Sequence, residues 1–294
     1  MIASILIVSK NRKAELQKTI EVLENIISYD DVEIMVFLDG STDDSVSLKK
    51  QYIKVKWLES PKSIGASAAR NLLYKQASGK YIFGFDDDAH PLNNDFLDQS
   101  IALFKDYPNV AIIAFEEVKG VFENDNMALS IAQKKEIQFF TNEFIGCGFV
   151  IKKSVYDQTN GFPKWVDIYG EESCVSIEVI ALGYEILFSN KIKVNHRVNK
   201  SSRFDQEHHY FRFQKQLKNT TYYYIVYHKN PILKILKLYW HNFYKYGLKD
   251  SRFFVSFFKT IFVVIKNIFQ ILKYRKPVNE VIINKLKRLK PINF

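Results

Sequence analysis

The sequence predicts an α/β fold, because short apolar runs alternate along the chain with segments in which apolar residues recur at helical spacing. The runs Ile2 to Val8, Val32 to Leu38 and Tyr81 to Phe85 have the length and the β-branched or aromatic content of buried strands. A helical pattern, Ala14 to Ile27, follows the first run, and another, Gly65 to Gln76, precedes the third. Strands and helices that alternate in this way are typical of a parallel sheet covered by helices.

Polar residues stand where each of these strands ends. Ser9 follows the first strand, Asp39 the second, and three acids, Asp86, Asp87 and Asp88, follow the third. Because parallel sheets bind ligands beyond the carboxyl ends of their strands, we expect these side chains to line one crevice. Three carboxylates at the mouth of a buried strand repel one another unless a cation lies among them. Their hard oxygen atoms suit Mg²⁺ or Mn²⁺.

The second part of the chain is less regular. We expect strands at Val110 to Phe115, Phe144 to Ile151, Tyr184 to Phe188 and Ile192 to Asn195, and a largely irregular segment over residues 116–140. A helix is predicted over Cys174 to Leu182. Two glutamates, Glu171 and Glu172, stand just before that helix, and His196 follows the last predicted strand.

The charge of the chain is concentrated near its end. The net charge is +10, but residues 1–204 hold 24 Lys and Arg against 28 Asp and Glu, whereas residues 205–294 hold 18 against 4. This contrast predicts a first domain over residues 1–204 and a basic helical region over residues 205–294. Two cysteines form no disulfide framework, and the absence of a signal-like segment agrees with a cytoplasmic protein.

Two basic stripes run along the predicted helices of this last region. The first stripe comprises Lys234, Lys237, His241, Lys245 and Lys249, and the second Arg252, Lys259, Lys266 and Lys273. Apolar and aromatic residues fill the rest of each helix, a pattern that favours helices lying in the interface of an anionic membrane. The lysines within the second helix argue against a membrane-spanning segment. Helices that pack on the first domain or on a second subunit, as in a homodimer, are the alternative. Nucleic acid is not expected, because no binding motif is present.

The order of these signals resembles glycosyltransferase family 2, the inverting nucleotide-sugar transferases with the GT-A fold. Ser9 to Arg12 is similar to the family's first-strand loop, and Leu38 to Asp43 to its nucleotide loop. Ile64 to Asn71 is similar to its diphosphate-side helix start, Asp86 to Asp88 to its DxD motif, and Gly170 to Glu172 to its acidic pair. The resemblance covers roughly residues 2–200. It implies a Rossmann-like mixed sheet, with a nucleotide-binding half over residues 1–115 and an acceptor half over residues 116–204.

The resemblance also implies how a donor is bound. Asp39 would accept a hydrogen bond from the imide of a uracil or thymine base, which indicates a UDP- or dTDP-sugar. Ser9, Asp86 and Asp87 would line the donor site, with Asp86 near the sugar or ribose. Arg70 would lie near the base or the diphosphate, since a guanidinium suits planar and anionic groups alike.

The metal and catalytic residues follow from the same resemblance. Asp88 would bind Mn²⁺ or Mg²⁺, and His196 would be a further metal or diphosphate contact. Glu172 is expected to be the general base that takes the acceptor's proton, with Glu171 beside it in a supporting role. The rings of Trp165 and Tyr169 are the expected acceptor-side surface, although core packing accounts for either ring equally well.

Two functions from different classes are therefore considered. The first is an inverting transferase on the inner face of the cell membrane that adds a sugar to a lipid-linked glycan in the synthesis of bacterial surface polysaccharide. The second is a non-catalytic sugar-nucleotide-binding protein that organises other transferases at the membrane. The second draws support from the acidic pair, which the family commonly completes with an Asp where this chain has Cys174.

Overall fold

The computed structural model describes residues 1–27, 30–198 and 206–292. The strands in these ranges are β1 (Ala3–Ser9), β2 (Val32–Asp39), β3 (Lys56–Ser60), β4 (Tyr81–Asp86), β5 (Ala89–Pro91), β6 (Val110–Lys119), β7 (Gln138–Thr141), β8 (Gly148–Lys152) and β9 (Glu185–His196). The helices are α1 (Lys13–Ile26), α2 (Leu48–Gln51), α3 (Ala66–Gln76), α4 (Phe96–Asp106), α5 (Asp125–Ile131), α6 (Lys153–Tyr156), α7 (Glu171–Ala181), α8 (Gln206–Tyr227), α9 (Ile232–Asn242), α10 (Ser251–Leu272) and α11 (Glu280–Arg288).

The strands form one mixed sheet in the order β3-β2-β1-β4-β8-β6-β9-β5, with β7 paired to β9. The neighbours among β1 to β4 are parallel, because a helix crosses between successive strands. β8 is antiparallel to both β4 and β6, and this change of direction joins the two halves of the sheet. The expected α/β fold with a Rossmann-like mixed sheet and C-terminal helices is confirmed.

Both faces of the central strands are buried under helices, as their near-continuous apolar sequences require. On one face, Phe83 of β4 packs edge-on against Phe96 of α4, with ring centroids 5.3 Å apart. On the other face, Tyr74 of α3 comes so close to β4 that a Cβ at Gly84 would lie 2.2 Å from its hydroxyl oxygen. The glycine therefore lets α3 approach the sheet.

The second half of the sheet differs from the sequence expectation in three places. The two strands predicted over residues 184–195 are one strand, β9, because its bulge opposite Phe115 lets it pass from one part of β6 to the next without a break. The strand predicted from Phe144 begins only at Gly148. Residues 116–140, expected to be irregular, contain the end of β6, helix α5 and strand β7.

The C-terminal helices share an apolar core with the preceding domain. Cys174 and Ile177 of α7 lie in one cluster with Tyr222 and Ile225 of α8. The hydroxyl of Tyr227 donates a 2.6 Å hydrogen bond to the carboxylate of Glu178, which is also on α7. The predicted boundary at residue 204 lies outside the described residues and stays a prediction.

Helix α10 alters one expectation. Among the described residues it is the helix that is long and apolar enough to cross a membrane by length and composition, with a mean hydropathy of 1.6 over an 18-residue window. The lysines of this segment were expected to prevent such a match, but they are seven residues apart and a window of that length holds few of them. Only 28% of the window is buried inside the protein.

Candidate active site

The ends of β1, β2 and β4 meet at one edge of the sheet, as the sequence predicted. Ser9 and the acidic loop are joined directly, because the hydroxyl of Ser9 donates a 2.7 Å hydrogen bond to the carboxylate of Asp87. Asp39 lies at the end of β2, where its carboxylate accepts hydrogen bonds from the backbone N–H of Ile64 (2.7 Å) and Gly65 (3.0 Å). Asp39 thus holds the loop that leads into α3.

The acidic loop and the end of β9 form a cluster suited to a metal ion. Asp86, Asp88 and His196 each offer one ligand atom, and these three atoms lie within 4.8 Å of one another. The Nε2 atom of His196 is 3.3 Å from a carboxylate oxygen of Asp88. Its Nδ1 atom is 2.5 Å from the carboxylate of Glu117, a residue on β6 that no sequence pattern indicated.

The electrostatics of this cluster favour an ionised carboxylate. Burial alone would raise the pKa of Asp88, but the hydrogen bond and charge of His196, together with the charge of Arg12, hold that pKa well below its usual range. Burial likewise opposes the charge on His196, whereas its bonds to Asp88, Cys147 and Glu117 raise the pKa of the imidazole. These bonds hold the imidazole against Asp88, and a neutral ring could offer its Nε2 atom to a metal ion there.

Arg12 is a second cation at this loop. Its guanidinium is 2.8 Å from a carboxylate oxygen of Asp87 and 2.7 Å from one of Asp88. The side chain is 45% exposed, so it reaches the acids from the open side of the crevice. Its place in the loop after β1, directly following Ser9-Lys10-Asn11, was the sequence signal that could have identified it.

Arg197 supports the acidic loop from behind. The residue is buried, and its backbone N–H donates a 2.9 Å hydrogen bond to the carbonyl of Asp88. Its guanidinium donates to Glu15 and Thr19 at 2.7 Å each and to the carbonyl of Asp87 at 3.3 Å. No sequence pattern indicates this role beyond the adjacency of Arg197 to His196.

Arg70 joins the acidic loop to the acidic pair. Its buried guanidinium is 2.5 Å from Asp86, 3.0 Å from Glu171 and 3.7 Å from Glu172. A Cβ at Gly146 would lie 2.7 Å from the Glu172 carboxylate and 2.9 Å from Arg70, so a larger residue there would displace the ends of these two side chains. Arg70 was expected near a base or a diphosphate, and here it lies between carboxylates.

The two glutamates differ in access to the crevice. The side chain of Glu171 is 4% exposed, while that of Glu172 is 21% exposed. Burial and the neighbouring Glu171 carboxylate raise the pKa of Glu172, although Arg70 opposes this shift. Burial raises the pKa of Glu171 too, again against Arg70. A partly accessible carboxylate with a raised pKa suits a group that accepts a proton near neutral pH.

The two predicted acceptor-side rings lie at the interface with α8. Trp165 packs against Tyr222 and Tyr227, with ring centroids 6.3 and 6.4 Å apart. The guanidinium of Arg212 lies over the ring of Tyr169, with its Cζ atom 5.3 Å from the ring centroid. The backbone of Tyr169 has a positive φ of 69°. Their role toward an acceptor stays a prediction.

A Rossmann-like mixed sheet with an acidic loop at the carboxyl edge of its parallel strands defines the GT-A class of proteins. The family model described as "Glycosyl transferase family 2" matches residues 4–159, just over half of the chain. The chain therefore belongs to glycosyl transferase family 2.

Several known proteins are similar to parts of this chain. An uncharacterized glycosyltransferase from Haemophilus influenzae is 35% identical over 78 residues, which cover 25% of this chain and 31% of the relative. The mannosyltransferase PcManGT from Pyrobaculum calidifontis, solved with GDP-Man and Mn²⁺, superposes with a TM-score of 0.60 at 18% identity, covering 90% of this chain and 75% of that one. Residues 1–349 of Staphylococcus aureus TarS, solved with UDP-GlcNAc, give a TM-score of 0.61 at 13% identity, covering 88% and 81%. The two structural likenesses establish the fold.

Proposed function

We propose that this protein is a metal-dependent inverting glycosyltransferase that moves a sugar from a UDP- or dTDP-sugar to a lipid-linked glycan. The observation that carries the proposal is one crevice in which Arg70 links the acidic loop to the pair Glu171 and Glu172. The family gives the reaction class. The transfer of a hexose or deoxyhexose in bacterial surface polysaccharide synthesis belongs to the same proposal.

The acidic loop fits a divalent cation. Asp86, Asp88 and His196 converge within 4.8 Å and offer two carboxylates and an imidazole, a donor set that suits Mn²⁺ or Mg²⁺. The similar PcManGT was solved with Mn²⁺. Such an ion would neutralise the charge that develops on the departing diphosphate. Asp88 and His196 are the residues that we assign to hold it.

The remaining residues of the crevice are assigned to donor and acceptor. Ser9, Asp39, Asp86 and Asp87 line the donor side, where Asp39 would meet the nucleotide base. On the acceptor side Glu172 takes the proton from the attacking hydroxyl, because its side chain is the more exposed of the pair.

Glu171 and Arg70 position Glu172. Arg70 lies 3.0 Å from Glu171 and 3.7 Å from Glu172, so one guanidinium orients both carboxylates. A proton accepted by Glu172 therefore remains beside a fixed positive charge. This arrangement lets the base return to its ionised form once the product leaves.

The exposed face of α9 and α10 fits the inner surface of a membrane. Large apolar side chains on this face are largely exposed, among them Leu233 (71%), Trp240 (72%), Phe262 (68%) and Phe269 (79%). The basic stripe of Lys259, Lys266 and Lys273 runs beside the apolar stripe on α10. This combination favours an anionic bilayer as the occupant over a second copy of the chain, whose matching face would be equally basic.

Donor turnover and ion dependence test the proposal together. The full-length protein should release UDP or dTDP slowly from a suitable nucleotide sugar, and chelation with EDTA should stop the release. Asp88→Asn should abolish it while the protein stays folded by circular dichroism, whereas the matched variant Asp106→Asn, at an exposed site on α4, should behave as wild type. A protein that binds donors but never releases nucleotide would instead be the non-catalytic organiser.

A further inference from the structure

A groove of about 560 Å³ lies between α8, the end of α9, the start of α10 and the loop before α7. We call it the Arg212 groove. Its lining comprises Tyr169, Gly170, His209, Arg212, Phe213, Gln216, Leu217, Thr220, Leu238, Asn242, Tyr246 and Phe253. Gly170 is the residue immediately before Glu171, so the groove borders the segment that carries the candidate general base.

The groove is cationic. Its lining contains Arg212 and His209 but no aspartate or glutamate. Arg212 is exposed and contacts the ring of Tyr169, and within the described ranges it has no carboxylate partner. An arginine without an acid beside it offers its planar set of donors to an anion from solution.

The floor of the groove is apolar. Phe213 belongs to this floor, and its ring centroid lies 5.1 Å from that of Phe253 and 5.3 Å from that of Tyr246. Leu217 and Leu238 complete the apolar lining. A ligand that fills this space needs an apolar body as well as an anionic group, because a small inorganic anion would leave the aromatic floor uncovered.

The wall that faces the acidic pair is held in place by α8. The side-chain amide of Asn219 donates to the carbonyls of Ile168 (2.7 Å) and Tyr169 (2.9 Å). Lys215 and Lys218 both pair with Asp167 in the same loop. These contacts fix the distance between the groove and the carboxylates that follow Gly170.

A smaller cavity of about 250 Å³ adjoins the groove and shares Gly170 and Thr220 with it. Asn219 lines this cavity and is 3% exposed. Its Oδ1 atom is buried and has no hydrogen-bond partner among the residues that the structure describes. An unpartnered acceptor in a cavity next to the acidic pair suits a ligand that carries hydroxyl groups.

We propose that the Arg212 groove binds the phosphate and the first part of the apolar chain of a lipid-linked acceptor. The glycan end of that acceptor would then extend past Gly170 toward Glu172. This inference rests on the proposed transferase function and names the part of the acceptor that the protein recognises. Arg212 and His209 meet the phosphate, and Phe213, Tyr246 and Phe253 contact the chain.

Calorimetric titration of the full-length protein with farnesyl phosphate tests the inference without any turnover. Wild type should bind farnesyl phosphate, and Arg212→Gln should weaken that binding about tenfold or more, the scale of a lost charge-assisted hydrogen bond. Glutamine keeps the helix, so folding should be unaffected. Arg288→Gln is the matched control: it removes the same charge from an exposed site on α11 and should bind farnesyl phosphate as wild type does.

Three further measurements separate the possible sources of the binding signal for farnesyl phosphate. Inorganic phosphate and farnesol should each bind much more weakly than farnesyl phosphate, and equal binding of either would overturn the two-part recognition. Arg212→Gln should still sediment with phosphatidylglycerol vesicles, and a loss there as large as the loss for farnesyl phosphate would assign Arg212 to the membrane surface instead. Unchanged binding of farnesyl phosphate by Arg212→Gln also overturns the inference. Donor affinity, measured with a nucleotide sugar and Mn²⁺, reports separately on the proposed function.

Discussion

The hydrogen bond between Tyr227 and Glu178 provides a direct test of whether the C-terminal helices unfold together with the family domain. Tyr227→Phe removes the hydroxyl on α8 and leaves the ring in place, so the apolar packing between α7 and α8 is retained. The carboxylate of Glu178 loses a 2.6 Å bond but keeps its bonds from the backbone and side chain of Asn160. A hydrogen bond to a charged group contributes about 1.5–3 kcal/mol to the free energy of unfolding. Because Glu178 keeps its bonds from Asn160, we expect Tyr227→Phe to lower that free energy by an amount near the lower end, about 1–2 kcal/mol.

Differential scanning calorimetry measures the expected loss. For a chain of this size each kcal/mol lowers Tm by roughly 2–4 °C, so Tyr227→Phe should lower the Tm by about 2–8 °C. The control is Tyr244→Phe, which removes the same atom from a side chain that is 66% exposed, and it should change the Tm by less than about 1 °C. A single transition that shifts only for Tyr227→Phe supports one cooperative unit. Two transitions, of which only the minor one shifts, would refute the reasoning and make residues 206–292 a separate domain.

Further outcomes are expected at other sites. Glu172→Gln should lower the turnover by about 10²-fold or more with little change in donor affinity. Because the Glu172 pKa is raised to about 8 and the base acts when ionised, wild-type kcat/KM should rise with pH through neutrality toward about 8, and a wild-type profile that is flat across this range would contradict the role. Asp88→Asn should weaken Mn²⁺ binding, measured by electron paramagnetic resonance without donor. Phe262→Asp should weaken sedimentation with anionic vesicles severalfold, while Ile53→Asp, at a site that is 84% exposed on the family domain, should not. Glu33, whose pKa is lowered to about 2 by Lys56 and two serines against the effect of burial, should support stability at neutral pH that is lost as the pH falls from about 4.5 toward 2, and Glu33→Gln should remove that dependence.

The parallel half of the sheet was predictable because its signals are local. Apolar runs such as Ile2 to Val8 end abruptly in polar residues, and topology alone then brings Ser9, Asp39 and the acids after β4 to one edge. That conclusion depends on where the strands end and requires no knowledge of how the side chains pack. The role of His196 was expected from the resemblance to glycosyltransferase family 2 and not from the strand pattern.

The contacts between distant residues were not predictable from such patterns. Arg70 on α3 meets Asp86, 16 residues away in sequence, and Glu171, 101 residues away. Arg197 reaches Asp87 across 110 residues of sequence and Glu117 reaches His196 across 79, so no spacing rule connects these pairs. Their roles depend on packing, which a single sequence does not specify.

The C-terminal helices illustrate a different difficulty. Their heptad-spaced lysines were read as a barrier to a membrane span, yet α10 meets the length and composition of one. Sequence patterns show that a face is apolar and do not show which face the protein itself covers. Here Phe257 and Val264 of α10 are buried inside the protein, while Phe262 and Phe269 are left exposed.

Strand β9 constrains the number of residues in this part of the chain as well as their types. The strand pairs with β5, β6 and β7 and delivers His196 to Asp88 and Glu117 at its last position. Because side chains alternate between the faces of a strand, one added or deleted residue between Lys193 and His196 would turn the imidazole away from the acids. Homologous chains should therefore tolerate insertions between β6 and α5 far better than in this strand, even where the inserted residue is chemically innocuous.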